Sequence, residues 1–347
     1  MGVDDPRWSE RDPAHHHRRP RARAAARTEC PLMADYSEFH DEMRSVAGDL
    51  LAKDRAVDWP VLVDAGWVGL EVPEEFGGAG ATFAETAVVC REIGRAASAN
   101  NYLGSAVLSV GALNALQPSE TRDQLLTDMA SGLIRVAVAV ESDFVPDAVG
   151  ADRILVVTDD GVAVTAPTVT ARPVLDETRR LGTITSAGTA EVLRFDGDHA
   201  AAVRGLRDRA AVAVACDSLG ISEAMLDATV GYAKVREQFG RPIGSFQAVK
   251  HACADMLVTI SVSRQLVGAA VQAVVDDRPD ADVAAAMAKS YACGSAVDIA
   301  GKAMQLHGGI GYTWESGIHV YLKRAALNRS LFGSPAAHRK YLAQRYL

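Results

Sequence analysis

Cysteine is scarce in this chain and stands in no useful pattern. There are five in 347 residues, scattered and odd in number, and none shows a paired or metal-ligand spacing. That excludes a disulfide scaffold and a zinc module, and the thiols read as buried free groups in a reducing cytoplasm. A basic excess is missing too. The formal net charge is −8, which argues against a general nucleic-acid or membrane-surface role. No apolar run approaches the length needed to cross a bilayer. What remains is 48% apolar and 23% charged, an ordinary globular balance. The length implies two or three domains.

Residues 1–32 lack large apolar side chains and helical periodicity. They are rich in Arg and Pro and contain His15-His16-His17. Acidic residues among them count against a transit peptide. The histidines carry a weak metal-binding signal. The segment reads as a disordered leader, with Met33 a natural start.

Residues 33–132 read as an N-terminal helical domain. Phe39, Met43, Val46 and Leu50 fall on one helical face. A short helix, Pro73, the loop Gly77-Gly78-Ala79-Gly80 and a helix from about Thr82 follow. The loop lacks the dinucleotide fingerprint, because Phe83 stands where the third Gly is required and no βαβ unit surrounds it. It reads as a helix connection.

Over residues 133–200 the period changes to two. Ile134, Val136 and Val138 alternate with smaller residues, and residues 154–157, 162–165 and 190–195 read as further short strands. Residues 201–347 return to helix. Residues 204–235 contain no Pro and carry Val212, Leu219, Met225, Leu226, Val230 and Ala233 at helical spacing. Gly240, Pro242 and Gly244 break that helix. Ser245 is the expected N-cap of the next, which carries Val249, Ala252, Met256, Ile260, Val267, Val271 and Val274. Asp280 is the expected cap of a third, running through Val283, Met287, Val297, Ile299 and Met304 to Gly308-Gly309. Three long antiparallel helices need a fourth partner, which predicts a four-helix bundle. The fold class expected is mostly α with a small β middle domain.

Two segments at the bundle's helix ends stand out. One holds Arg236, Phe239, Gly240, Ile243 and Gln247; the other holds Gln305, Gly308, Gly309, Gly311 and Tyr312. At these residues the chain resembles the acyl-CoA dehydrogenases, whose turn reads R-x-x-F-G-x-x-I-x-x-x-Q and whose later segment reads Q-x-x-G-G-x-G-Y/F. The resemblance covers roughly Met33 to the C-terminus and is best in the last third. It implies FAD as cofactor, an acyl-CoA substrate and electron-transfer flavoprotein as acceptor. It also implies α,β-desaturation, in which a carboxylate removes the α-proton while hydride leaves to the flavin N5. Arg236, Phe239, Gln247, Gln305, Gly308 and Gly309 would then bind the adenosine and pyrophosphate end of the flavin of a neighbouring subunit. An arginine fork suits pyrophosphate oxygens, and glycines permit close backbone approach.

The rest of the family's site is altered. Its catalytic Glu occupies one of two positions, which here are Phe332 and Ala210. Neither ionises, so no catalytic residue is assigned. Asp208 lies near the second position, but an offset of one or two residues turns a helical side chain by about 100–200°. Asp208, Glu237 and Glu315 read as solvated surface charges, and His307 and His319 as packed or capping residues. The family's strand-end motif T-E-P-x-x-G-S-D is replaced by Val140-Glu141-Ser142-Asp143-Phe144. The middle domain therefore reads as a plain β-layer that closes the core. Ser334-Pro335-Ala336 lacks the Thr and Gln that touch the flavin. This chain resembles the short, base-lacking subunit of actinobacterial heterotetrameric acyl-CoA dehydrogenases that shorten steroid side chains, with a homologous subunit as partner. Two other readings stay open: a self-sufficient enzyme with a displaced base, Asp208, and a flavin-free acyl-CoA-binding scaffold.

Overall fold

The computed structural model describes residues 37–140, 143–166, 168–186 and 191–345. The expected leader, with its three histidines, lies outside them, as do Glu141 and Ser142. The longest helix organises the remainder. Helix α6 (His199–Val235) opens on Asp198, whose side chain accepts the Ala201 N–H at 2.7 Å. Between Arg209 and Glu223 its side chains are buried on every face. A helix apolar all round belongs in a core, and α6 is enclosed accordingly. Helix α3 (Phe83–Ala96), α7 (Gln247–Val275), α8 (Ala281–His307) and α9 (Ile318–Ser330) all pack against it. Helices α6 to α9 form the bundle, and α10 (Pro335–Arg345) lies along α8. Two glycines let α3 and α6 come close. A Cβ at Gly94 would run into the Asp217 carbonyl, and one at Gly220 into that of Arg91.

The N-terminal helices are α1 (Ser37–Leu51), α2 (Trp59–Asp64), α3, α4 (Ser109–Asn114) and α5 (Glu120–Ala130), with a π-helical stretch, Tyr102–Leu108, leading into α4. Thr82 and Glu85 close a capping box at the start of α3. The glycine loop links a 3₁₀ turn, Glu74–Phe76, to that cap. Two small sheets follow. One runs β1 (Val136–Ala139), β3 (Arg153–Thr158), β4 (Gly161–Thr165), β7 (Glu191–Leu193), with β1 and β3 parallel and Val138 opposite Leu155. The other runs β2 (Val145–Pro146), β6 (Leu181–Ser186), β5 (Thr168–Arg172).

Several expectations need correction. On α1, Met43 and Leu50 of the expected face pack against the core, but Phe39 and Val46 are exposed and the fully buried residues are Ala47 and Leu51. Ser245 does not cap α7. It belongs to a 3₁₀ turn, and Phe246 takes the N-cap position with no side-chain cap. The turn is held instead by Phe246, which lies under the Arg241 guanidinium at 4.3 Å and edge-on to Phe239. Asp280 does begin α8, but its carboxylate pairs with Arg278 rather than capping. Strands β5 and β6 were not anticipated, because β5 is largely exposed and carries little apolar alternation. Finally, one helix among the described residues, α7, is long and apolar enough to cross a membrane by length and composition. Met256, Ile260 and Val267 are nevertheless buried in the bundle.

Candidate functional site

The two motif segments meet at one end of the bundle. Tyr232, in the last turn of α6, stacks on His307, at the end of α8, with ring centroids 4.5 Å apart. The His307 Nδ1–H donates to the Ala303 carbonyl at 2.7 Å, which fixes the ring on its own helix. Past Tyr232 the chain turns at Arg236. Its N–H donates to the Tyr232 carbonyl, and its own carbonyl accepts the Ile243 N–H at 2.8 Å. Between them runs a hairpin, β8 (Glu237–Gln238) and β9 (Arg241–Pro242). Its tip needs positive φ at Phe239 (54°) and Gly240 (75°).

Arg236, Phe239, Gln247, Gln305, Gly308 and Gly309 are all exposed there, Phe239 at 92%. The Arg236 side chain has no hydrogen-bond or ion-pair partner among the described residues. Gln305 accepts only a 3.2 Å contact from Lys302. Gly308 has φ of 63°, whereas at Gly309 an added Cβ would meet nothing, so nothing within the chain requires that glycine. Glu237 and Glu315 are exposed, as expected. His319 packs edge-on to Trp314.

The opposite end holds a cavity of about 690 Å³ between the start of α6, α8, the end of α9, α10 and the ends of β1 and β2. Phe332 lines it in a left-handed conformation (φ 53°), and its carbonyl accepts from His338 Nε2 at 2.9 Å. Lys289 supports this turn from beneath. It is fully buried and donates to the Asn328 and Gly333 carbonyls, both at 2.9 Å. Burial lowers its pKa. Ala210 is fully buried and does not line the cavity.

Asp208 does line it, half-buried, which corrects the expectation of a solvated surface charge. Burial, then the neighbouring Asp282, lifts its pKa to about 6, with Arg204 pulling the other way. Asp282 itself accepts from Tyr341 and pairs with Arg345 at 3.2 Å. The sequence could flag Asp208 only as a residue near a family position. Asp282 and Tyr341 gave no signal, because they reach the cavity from separate helices.

The strand end is part of the same wall. Counted on from Val140, the closing Asp of the family motif falls on Asp147. It is buried and accepts the Gly104 N–H at 2.6 Å. Burial pushes it up to about 6, against the pull of Arg179, Arg324 and Arg180. Asp217 lies buried near these arginines. It accepts from Arg324 (Nη2 at 2.6 Å) and Asn328 (2.6 Å) and forms an ion pair with Arg179 at 3.0 Å. Burial alone would raise its pKa, but the two guanidinium groups overcome that and hold it below the ordinary value.

Two family models match: the acyl-CoA dehydrogenase N-terminal domain over residues 12–133 and the C-terminal domain over residues 201–347. Acyl-CoA dehydrogenase IpdE2 of Mycobacterium tuberculosis is 39% identical over 291 residues, spanning 82% of this chain and 86% of that protein. The chain belongs to the acyl-CoA dehydrogenase family. Two solved structures share the fold at 24% identity, each covering 89% of this chain and 97% of its own. One is the Tcur3481-Tcur3483 steroid acyl-CoA dehydrogenase G363A variant, at a TM-score of 0.80. The other is the ChsE4-ChsE5 complex from Mycobacterium tuberculosis, at 0.79. The helical N- and C-terminal regions around a small β middle are therefore the family's fold.

The family is FAD-dependent, and the two ends differ in how they suit that group. The bundle end suits its nucleotide half, with an unpartnered guanidinium and a glycine that has no internal reason. The cavity end does not suit its ring. Val140 has no hydroxyl, Pro146 no N–H, and Phe332 no carboxylate.

Proposed function

We propose that this chain is the non-catalytic subunit of a flavin-dependent acyl-CoA dehydrogenase that desaturates an acyl-CoA thioester in steroid or lipid degradation. It completes the FAD site of a homologous partner that supplies the base. Electrons pass on to an electron-transfer flavoprotein. The observation that carries this reading is the bundle end, where Arg236 is free and exposed in a segment that meets the Gln305-Gly308-Gly309 segment through Tyr232 and His307; the reading takes Phe332 as the family's base position. The same end presents Phe239, Tyr312 and Trp314 to solvent, each more than two-thirds exposed. Such a patch fits a subunit interface. The similarity to the ChsE4-ChsE5 complex supports a paired assembly of two related chains.

The test is Arg236→Ala in the co-expressed complex. Loss of a charge-assisted contact costs about 1.5–3 kcal/mol, which is roughly ten- to a hundredfold in flavin affinity. Flavin per complex and the partner's activity should both fall, with partial rescue by Arg236→Lys. Full flavin occupancy on dilution would overturn the assignment.

A second reading rests on Asp208, a half-buried carboxylate in the cavity beside Phe332. As a displaced base it would let the chain act alone. Turnover of an acyl-CoA by the purified chain with an artificial electron acceptor, lost in Asp208→Asn, would favour it.

A further inference from the structure

Each motif segment at the bundle end is fastened to the helix before it. After the hairpin the chain returns against α6, where a Cβ at Gly244 would stand 2.9 Å from the Ala233 carbonyl oxygen. After α8 the turn Gly308–Tyr312 folds back on that helix. A Cβ at Gly311 would stand 2.5 Å from the Met304 carbonyl oxygen and 3.1 Å from the His307 Cβ. Both places need a backbone approach that a side chain would block.

The Tyr232–His307 stack then joins one segment to the other, in the last turn of each helix, with the ring planes 22° apart. Neither the Tyr232 hydroxyl nor the His307 Nε2 has a hydrogen-bond partner among the described residues, so this junction is ring on ring rather than polar. The imidazole is buried, and its bond to the Ala303 carbonyl keeps it from turning. Arg236 is one backbone hydrogen bond from Tyr232. Gln305, Gly308 and Gly309 lie within two residues of His307. The side chains of Arg236 and Gln305 are exposed, and only the long Lys302 contact holds either of them. Their offset is therefore set by the backbone, where the two helix ends join.

We infer that Tyr232 and His307 are positioning residues of the proposed cofactor site. Their stack fixes the offset between Arg236 and the Gln305-Gly308-Gly309 segment, so the chain presents both to the flavin's nucleotide half as one preformed surface. A surface set in advance spares the ordering cost at binding. The inference rests on the flavin reading of that end.

The test is flavin release on dilution of the co-expressed complex. Tyr232→Leu and His307→Leu should each weaken flavin binding about fivefold, equivalent to about 1 kcal/mol and in the range of an aromatic pair. Tyr232→Phe, which keeps the stacked ring, should retain the affinity. In an Arg236→Ala background Tyr232→Leu should cost less than about twofold, since the stack acts through that arginine. Hydrogen exchange gives a readout without activity: the Ile243 amide, bonded to the Arg236 carbonyl, should exchange faster in Tyr232→Leu and not in Tyr232→Phe. An undiminished affinity in Tyr232→Leu, with Arg236→Ala still weakening it, would overturn the inference and leave the flavin reading standing. The same fivefold loss with or without Arg236, or unchanged exchange at Ile243, would also overturn it. No effect of Arg236→Ala itself would overturn the flavin reading and this inference together.

Discussion

Asp208 is a half-buried carboxylate whose pKa stands at about 6, against an ordinary 3.8. The folded state therefore holds its proton more firmly than the unfolded chain. The contribution favours folding at low pH and is lost as pH rises from about 4 through 6. Asp208→Asn should stabilise the protein by about 1–2 kcal/mol at pH 7, after allowance for solvent screening. Urea unfolding at pH 7 and pH 4 should show that gain shrinking toward zero at the lower pH. Asp217 has the opposite sign. Its carboxylate is held low by Arg324 and Arg179, so its contribution is present above the ordinary carboxylate range and lost in acid. Arg324→Met leaves that buried charge with one guanidinium instead of two. It should cost about 3–5 kcal/mol, read as a lower urea midpoint. Neither environment was legible along the chain. Asp217 and Arg324 are 107 residues apart, and Asp208 was misread because nothing local says which side of α6 faces a cavity.

Among the elements, the long helices were legible and their ends were not. Apolar spacing locates α6, α7 and α8, since each has a face that must leave water. The caps depend on which side chains pair at each end, which apolar spacing does not show. Phe246 under Arg241 replaces a hydroxyl cap at α7, and Asp280 spends its carboxylate on Arg278. The end of α9 follows the same rule. It is closed by Lys289 of α8, whose ammonium reaches the Asn328 and Gly333 carbonyls. Lys289→Met should leave those carbonyls without a donor and cost about 1–3 kcal/mol. Hydrogen exchange should rise at the end of α9 and through Phe332 and Gly333. The same exchange rates in the variant would mean that the turn is held by packing alone.

At the scale of the whole molecule, α7 leaves apolar side chains in solvent. Leu257 is 52% exposed and Val258 64%. A helix this apolar and this open calls for a covering surface. Val258→Asp should weaken the proposed assembly with a homologous chain, seen as a shift toward smaller species in sedimentation, while far-ultraviolet circular dichroism stays the same. The fold class and the Arg236 and Gln305-Gly308-Gly309 segments could be read from the amino-acid order. Helical periodicity and motif spacing are relations between near neighbours in the chain, and they survive without knowledge of the rest. The joining of those segments through Tyr232 and His307, the cavity around Asp208 and Phe332, and the buried Asp217–Arg324 pair were decided only by the tertiary structure. Desolvation and charge pairing depend on what is brought close from distant parts of the chain, and no local pattern encodes that.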